Sequence, residues 1–283
     1  MTKIKIVTDS SANLTDEEVQ KYDITVIPLT VMIDGTIYVE DETITREEFI
    51  SKMATAKSLP KTSQPALGTF IETFDKLGAD GSSVVCINML EAISGTVHTA
   101  EQAASISKTD VTVIDAKTTD RAMSFQVVTA AKLAQAGADK QAVIDAVHLT
   151  QEHTKLFMGV MTLNNLVAGG RISRLTGAIS TLLNVKIALE VDNGDLDVKM
   201  KGRGVKAINK FFDKVLDDII ATPNVVEVAI SHVGATERVE EYKARLQAAL
   251  PSLKVSVQPT VPIIATHGGP GAFAVEYHTQ TPA

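Results

Sequence analysis

The chain has 283 residues, which is long for one compact domain and sufficient for two. Hydrophobic residues make up 45% and aromatic residues only 4%, so the composition permits a large aliphatic core or an internal apolar site. The formal net charge of −7 argues against a nucleic-acid-binding protein, because neutralising phosphates requires a surplus of positive charge.

The cysteine content and the apolar runs indicate the cellular setting. The one cysteine, Cys86, lies within an apolar run typical of a buried strand, so no internal disulfide can form. No apolar run reaches the ~18 residues of a membrane span, and the N-terminal sequence MTKIKIVTDSS begins directly with a strand pattern. The six histidines lack the spacing of a metal site. We therefore expect a soluble, cytoplasmic protein without a metal or another cofactor.

In the first half of the chain, short apolar runs alternate with helical patterns. The strand KIKIVT precedes a helix that Asn13 or Thr15 caps, and ITVIPLTVMI indicates one further strand. Asp34-Gly35 marks a hairpin turn into TIYVE, and Thr45 begins a helix with a capping box. Buried strands at SSVVCINM and DVTVIDA are each followed by helices. This alternation predicts a mostly parallel sheet with flanking helices.

The pattern changes after about residue 155. KLFMGVMTL indicates a strand, and NNLVAGGRISRLTGAISTLLNV a glycine-interrupted helical stretch. Asn193-Gly194 separates two strand patterns and predicts a hairpin, and amphipathic helices alternate with strands towards the end of the chain. We therefore predict a two-domain α/β protein. An N-terminal α/β domain (residues 1–155) precedes a C-terminal α+β domain (156–283) with a largely antiparallel sheet, and the ligand lies in a cleft between them.

Two hydroxyl-rich segments lie at junctions of predicted elements. In TDSSANL, Asp9 and Ser10 follow the first strand, where open parallel sheets bind ligands, but both are also common turn formers and helix caps. In KTSQPALGTF, Thr62 and Ser63 precede a helix. Their hydroxyl groups could cap that helix or donate to an anion near its N-terminus.

Ser94, in the segment NMLEAISGTVHTAEQAA, has three candidate roles: a nucleophile, a phosphate ligand or a helix cap. The surroundings do not match the G-x-S-x-G nucleophile elbow, because Ala92 and Ile93 precede the serine. The lysine of a Walker-type phosphate loop is also absent. Helix capping is compatible with a second role in binding an anion.

His267 lies in the glycine-rich segment ATHGGPGAF, which predicts a turn. The glycines that follow have no side chains, so the backbone could hold this histidine close to a ligand. There it could donate a hydrogen bond to an anion or act as a base.

Together these segments resemble the DegV family, a group of fatty-acid-binding proteins from Gram-positive bacteria and their relatives. Ile187 follows Lys186 where the family commonly has proline, and Ala116 follows Asp115 where it commonly has serine. Neither departure removes a proposed contact. The resembling segments span nearly the whole chain and are VTDSSANL, VIPLTVMIDG, KTSQPALGTF, ISGTVHTA, VIDA, GGRIS, LLNVKIAL and HGGPGA.

The resemblance implies a specific function. Members of the family bind one long-chain fatty acid between two α/β domains, with the acyl chain buried and the carboxylate near the cleft. A separate kinase subunit then phosphorylates the carboxylate with ATP, and the acyl-phosphate feeds phospholipid synthesis. The residues that match the family's carboxylate-binding positions are Thr62, Ser94, His267 and Arg171, and Arg203 matches a docking position.

The chemistry of a fatty acid agrees with these residue types. A carboxylate only accepts hydrogen bonds, so two hydroxyl groups can hold it without a full positive charge that would lower its reactivity. Each buried CH₂ group contributes about 0.8 kcal/mol, so a sixteen-carbon chain gains on the order of 10 kcal/mol before entropic costs.

The stretch VKMKGRGVKAINK concentrates positive charge in an acidic chain. A solvated face is one interpretation. The other is a docking patch, including Lys201 and Arg203, for the kinase or for an anionic membrane surface that the protein contacts transiently.

Two other functions compete with the fatty-acid carrier, which we expect to have no catalytic residues of its own. One is a serine acyl hydrolase that uses Ser94 and His267, although no acid is clearly placed to orient the histidine. The other is a regulatory domain that binds a small metabolite and no lipid.

Overall fold

The computed structural model describes residues 3–176 and 184–280, which form three β-sheets and flanking helices. None of the helices in these ranges is both long and apolar enough to cross a bilayer. The strands are β1 (Ile4–Asp9), β2 (Thr25–Ile27), β3 (Thr30–Ile33), β4 (Thr36–Val39), β5 (Lys61–Ser63), β6 (Ser83–Asn88), β7 (Val111–Asp115), β8 (Thr154–Val160), β9 (Leu175–Thr176), β10 (Val185–Asp192), β11 (Asp195–Arg203), β12 (Val225–His232), β13 (Lys254–Pro259) and β14 (Phe273–Thr279). The α-helices are α1 (Asp16–Tyr22), α2 (Arg46–Thr55), α3 (Leu67–Gly78), α4 (Thr96–Ile106), α5 (Asp120–Gln135), α6 (Lys140–Glu152), α7 (Asn164–Ala168), α8 (Val205–Ala221), α9 (Thr236–Ala249) and α10 (Pro262–Gly268).

The first sheet is parallel throughout, in the order β2-β1-β6-β7, as the alternating pattern predicts. Every residue of β6 is buried, because helices cover both faces of the sheet. Phe70 and Phe74 of α3 pack on one face, and Met123 and Val127 of α5 belong to the core on the other. The carboxyl ends of the four strands therefore meet at one edge.

The prediction of a single strand over ITVIPLTVMI is wrong, because β2 ends at Ile27 and β3 begins at Thr30. Pro28 lies between them and has no N–H with which to continue a ladder. β2 joins the parallel sheet, whereas β3 forms a separate antiparallel sheet in the order β4-β3-β5. The Asp34-Gly35 hairpin is confirmed, with both residues at positive φ (48° and 86°).

The third sheet has the order β13-β12-β14-β8-β10-β11-β9. Its four central pairings are antiparallel and its two outer ones parallel, which confirms a largely antiparallel sheet. Phe212 and Leu216 of α8 and Leu246 of α9 pack in the core beside it. The division of the chain at residue 155 falls within β8 and stays a prediction.

Two further predictions of local structure need correction. The stretch predicted as a glycine-interrupted helix forms only α7, then a 3-10 turn over Arg171–Arg174 and the short strand β9. Its residues 177–183 lie outside the described residues. His267 does not lie in a turn but in the last turn of α10, because Pro262 at the first helical position favours a helix start.

Candidate functional site

A cavity of about 370 Å³ lies between the carboxyl edge of the parallel sheet and one face of the seven-stranded sheet. This volume is within the range of about 300–1,000 Å³ that small-molecule sites occupy. Five adjacent strands, β12, β14, β8, β10 and β11, contribute to its floor, which at about 4.8 Å between strands spans about 19 Å. The aliphatic and sulfur-containing side chains that line it include Leu29, Met89, Leu90, Leu156, Met158, Leu189, Val191, Leu196 and Ile263.

Thr62 and His267 meet at this cavity, with Thr62 Oγ1 3.1 Å from His267 Nε2. Thr62 lies on β5, because Lys61–Ser63 pairs with β3. Burial, and secondly the positive charge of Arg171, lowers the pKa of His267 to about 4. The imidazole is therefore neutral at neutral pH and carries one N–H group.

Ser94 lines the same cavity and lies two residues before the start of α4. Its Oγ accepts a hydrogen bond from Thr96 N at 3.3 Å and lies 2.8 Å from Thr96 Oγ1. The cap position itself is Gly95, which has no side chain to offer. Ser94 is therefore not the cap residue of α4, but its hydroxyl group accepts from the first N–H of the helix while it also faces the cavity.

Arg171 is held beside Ser94 by backbone carbonyl groups. Its Nε donates to Ile93 O at 3.0 Å and its Nη1 to Gly169 O at 2.8 Å. Burial, and then the neighbouring charge of Arg174, lowers the pKa of Arg171. The structure therefore brings the four predicted residues, Thr62, Ser94, Arg171 and His267, to one cavity, and their role as carboxylate ligands stays a prediction.

Two glycines allow these segments to approach one another. A Cβ atom at Gly169 would lie 2.3 Å from His267 Nδ1, and one at Gly95 would lie 2.4 Å from Gln64 Oε1. Gln64 lines the cavity and donates to Thr99 Oγ1 at 2.6 Å. Gln64 and Gly169 are not among the predicted site residues, although they lie in the segments KTSQP and GGRIS that carry the family resemblance.

Comparison with known proteins identifies the family. The family model described as uncharacterised proteins of the DegV family matches residues 3–280. A DegV domain-containing protein from Streptococcus pneumoniae is 45% identical over 281 residues, which cover 99% of this chain and 100% of the relative. The chain belongs to the DegV family.

Solved structures of DegV proteins share the fold. DegV from Bacillus subtilis, described as a fatty acid binding protein, matches with a TM-score of 0.90 and 27% identity over 99% of this chain and all of that one. A stearic-acid-binding protein from Eubacterium ventriosum matches with a TM-score of 0.84 and 25% identity, covering 99% of this chain and 98% of that one. These matches agree with the two-domain α/β architecture.

Arg203 and Lys201 of this DegV chain lie apart from the cavity, on β11. Both residues are exposed, and Arg203 ends the strand. Lys199, two residues before Lys201, is already paired with Glu190 at 3.0 Å. The docking role of Arg203 and Lys201 stays a prediction.

Asp9 acts as a capping residue in this DegV fold, and Ser10 lies in the 3-10 turn (Ser10–Ala12) that it caps. Asp9 is buried and accepts hydrogen bonds from Ser11 N at 3.0 Å, Asn88 Nδ2 at 3.1 Å and Met89 N at 2.9 Å. These contacts join the ends of β1 and β6. Burial raises the pKa of the Asp9 carboxyl group, and its hydrogen bonds oppose that shift.

The geometry does not support a catalytic dyad of Ser94 and His267. In the described part of the chain, Ser94 and His267 share no hydrogen bond, and His267 Nε2 contacts Thr62 instead. The other ring nitrogen, Nδ1, is buried and has no partner there, so no carboxylate orients the imidazole.

Two buried carboxyl groups meet at a serine beside the cavity. Ser231 Oγ, which lines the cavity, lies 2.8 Å from Asp120 Oδ1 and 2.9 Å from Glu276 Oε1. A hydroxyl group has one proton and can donate to only one of them, so the other carboxyl group must itself donate. Asp120 already accepts from Asn13 Nδ2 and Thr260 Oγ1, whereas Glu276 Oε1 has no other donor beside it among the described residues, so Glu276 is the group placed to donate. The direction of its pKa agrees, because burial, and next the charge of Asp120, raises the pKa of Glu276.

Glu276→Gln should therefore be tolerated, since the amide can donate to Ser231 while its oxygen accepts from Ala122 N, now 2.6 Å from Glu276 Oε2. Asp120→Asn should cost about 1–3 kcal/mol, because its amide keeps only one oxygen, whereas the two oxygens of the carboxylate accept from Asn13 Nδ2, Ser231 Oγ and Thr260 Oγ1. Because the pKa of Glu276 is raised in the folded state, the free energy of unfolding of the native protein falls as pH rises. The stability of Glu276→Gln relative to the native protein should therefore increase from pH 5 to 8. Urea unfolding across this range tests both variants. Equal losses for the two would contradict the assignment.

Gly169→Ala should destabilise the protein by about 1–3 kcal/mol, since the added methyl group would press against His267 and lie 3.1 Å from Asn165 O. Thermal or urea unfolding measures this change. Gly68→Ala is the matched control, because a Cβ there meets nothing within 4 Å in helix α3 and alanine favours helix. If Gly169→Ala were as stable as the native protein, His267 would have room to move.

Proposed function

We propose that this protein binds one long-chain fatty acid, with its acyl chain in the cavity and its carboxylate beside Thr62, Ser94, Arg171 and His267. The observation that carries the proposal is a largely aliphatic cavity whose wall includes these hydrogen-bond donors. The fatty-acid-binding descriptions of DegV proteins from Bacillus subtilis and Eubacterium ventriosum support it.

The apolar wall supplies the affinity. Leucine, isoleucine and methionine side chains from both halves of the chain line the cavity. Each CH₂ group removed from water contributes about 0.8 kcal/mol, so a sixteen-carbon chain gains on the order of 10 kcal/mol before ordering costs. This gain is sufficient to hold a lipid without a strong ion pair at its carboxylate.

The polar residues supply orientation rather than neutralisation. His267 is neutral at neutral pH because burial lowers its pKa to about 4, so it and the two hydroxyl groups offer only neutral donors. Two N–H groups of Arg171 already donate to backbone carbonyl groups. A carboxylate held mainly by neutral donors keeps its negative charge available for reaction with an electrophile.

We further propose that the chemistry on this carboxylate belongs to a separate fatty acid kinase, which forms an acyl-phosphate for phospholipid synthesis. An open polar groove of about 500 Å³ supports the assignment of this chemistry to a partner protein. It shares Ser94 and Arg171 with the cavity and also includes His98 and Arg174. The groove provides a route by which a partner's reactive group can reach the carboxylate.

The exposed residues Arg203 and Lys201 are the proposed docking site for the kinase. A transient contact with an anionic membrane surface, from which fatty acid is collected, would use the same positive charge. Lys206 and Lys210, exposed on the adjoining helix α8, extend the patch.

Native mass spectrometry of the purified protein should show one non-covalently bound fatty acid. Ser94→Ala should weaken fatty-acid binding about 10- to 100-fold and slow phosphorylation by the kinase, because a hydrogen bond to a charged group is worth roughly 1.5–3 kcal/mol. An acyl adduct on Ser94 would instead indicate a hydrolase. A protein that is purified empty and takes up no added fatty acid would exclude the lipid function.

The charge reversals Lys201→Glu and Arg203→Glu should reduce kinase turnover and exchange with anionic vesicles, while fatty-acid affinity is unchanged. Lys57→Glu, at an exposed position after α2, is a control for the change in net charge. Kinase assays and vesicle exchange at low and high salt measure the effect, which should diminish with salt. If a variant with both charge reversals showed unchanged kinase turnover and unchanged vesicle exchange, Arg203 and Lys201 would not be a docking site.

A further inference from the structure

Glu40 is a buried carboxyl group behind the cavity wall. It follows β4, is only 1% exposed, and accepts hydrogen bonds from Ser10 Oγ and from Ile263 N. Val261 gives α10 no side-chain cap, and Pro262 has no N–H, so Ile263 supplies the first N–H of the helix. Glu40 thus satisfies the N-terminal end of α10 from a position more than 200 residues earlier in the chain.

The other end of α10 carries His267. The rise from Ile263 to His267 is about 6 Å along the helix axis, since each residue adds about 1.5 Å. His267 then contacts Thr62 of β5, 3.1 Å away. The helix is therefore a short rigid link, with Glu40 at its first N–H and the Thr62 hydroxyl group at its last turn.

The same contacts hold a second part of the cavity wall. Ser10 Oγ accepts a hydrogen bond from Leu29 N at 2.9 Å, and Glu40 N donates to Leu29 O at 3.2 Å. Leu29 and Ile263 both line the cavity. Glu40 therefore connects to two wall residues that come from opposite ends of the sequence.

We propose that Glu40 is a positioning residue for the carboxylate end of the cavity: it fixes α10 and, through α10, holds His267 against Thr62. This inference rests on the proposed binding of a fatty acid. Glu40 itself lies behind the wall and does not line the cavity, so its effect on a ligand passes through His267.

The charge of Glu40 makes this positioning sensitive to pH. Burial raises its pKa to about 8, the hydrogen bonds from Ser10 and Ile263 oppose the shift, and the charges of Asp41 and Asp9 add to it. Ionisation strengthens the hydrogen bond from Ile263 N, because bonds to charged acceptors are stronger. The charged side chains that share a second small cavity with Glu40 are Asp9, Asp16, Asp41, Glu42 and Arg46.

The test compares palmitic acid with hexadecanol, which has the same chain and no carboxylate. Glu40→Ala should weaken binding of the acid about ten-fold, the loss expected for one hydrogen bond to a charged group, and leave the alcohol nearly unchanged. In the native protein, the ratio of acid to alcohol affinity should increase as pH rises through about 8, and in Glu40→Gln it should stay flat. Glu42→Ala, at an exposed neighbouring position, is the control.

A double-mutant cycle with His267→Ala shows whether the effect passes through the imidazole. Glu40→Ala should add little to the loss of acid binding in His267→Ala, because the two changes act on one contact. Equal losses for acid and alcohol, or additive losses in the cycle, would overturn the proposal and indicate a purely structural role.

An NMR titration of His267 without ligand separates this inference from the fatty-acid function. The pKa of His267 should rise from about 4 towards its usual value in Glu40→Ala, since a displaced imidazole becomes more hydrated. An unchanged His267 pKa in both Glu40 variants would refute the positioning role. Failure of the native protein to bind palmitic acid would refute the proposed function, whatever the titration shows.

Discussion

The hydrogen bond between Thr62 and His267 is the constraint on which the site depends, because it joins residues 205 positions apart in the sequence. It requires that β5 and α10 lie side by side at the mouth of an apolar cavity. The contact also keeps the imidazole buried, and burial keeps it neutral. A neutral donor can orient an anion without cancelling its charge, which suits the proposed presentation of a carboxylate to another protein.

Several carboxyl groups are buried around this apolar cavity, and each accepts hydrogen bonds from nearby donors. Asp9 joins the ends of β1 and β6, Glu40 holds α10, and Asp120 and Glu276 meet at Ser231. Burying such groups is costly unless hydrogen bonds satisfy them, so they fix the geometry strongly once they are paired. They connect elements from the two halves of the chain, which apolar contacts alone would position less specifically.

Local patterns in the sequence predict most of the elements, whereas the resemblance to the DegV family implies the four residues at the cavity. The capping box at Thr45, the hairpin at Asn193-Gly194 and the alternation of buried strands with helices all have short-range causes, and the structure shows each of them. The split at Pro28 and the helical position of His267 also have local causes, because Pro28 cannot continue a ladder and Pro262 favours a helix start. The contacts of Glu40 and Asp120 could not be foreseen, since no periodicity indicates which distant backbone N–H or hydroxyl group a buried carboxyl group will meet.

The cavity of about 370 Å³ also has a consequence for the life of the protein in the cell. The cavity has a largely aliphatic wall, and a bound acyl chain would shield that wall from water. A fatty acid that fills it, as proposed, acts as a missing piece of core and stabilises the fold by mass action. Chains that have collected no lipid would then open more often and be degraded first, so lipid supply would set how much of the carrier survives.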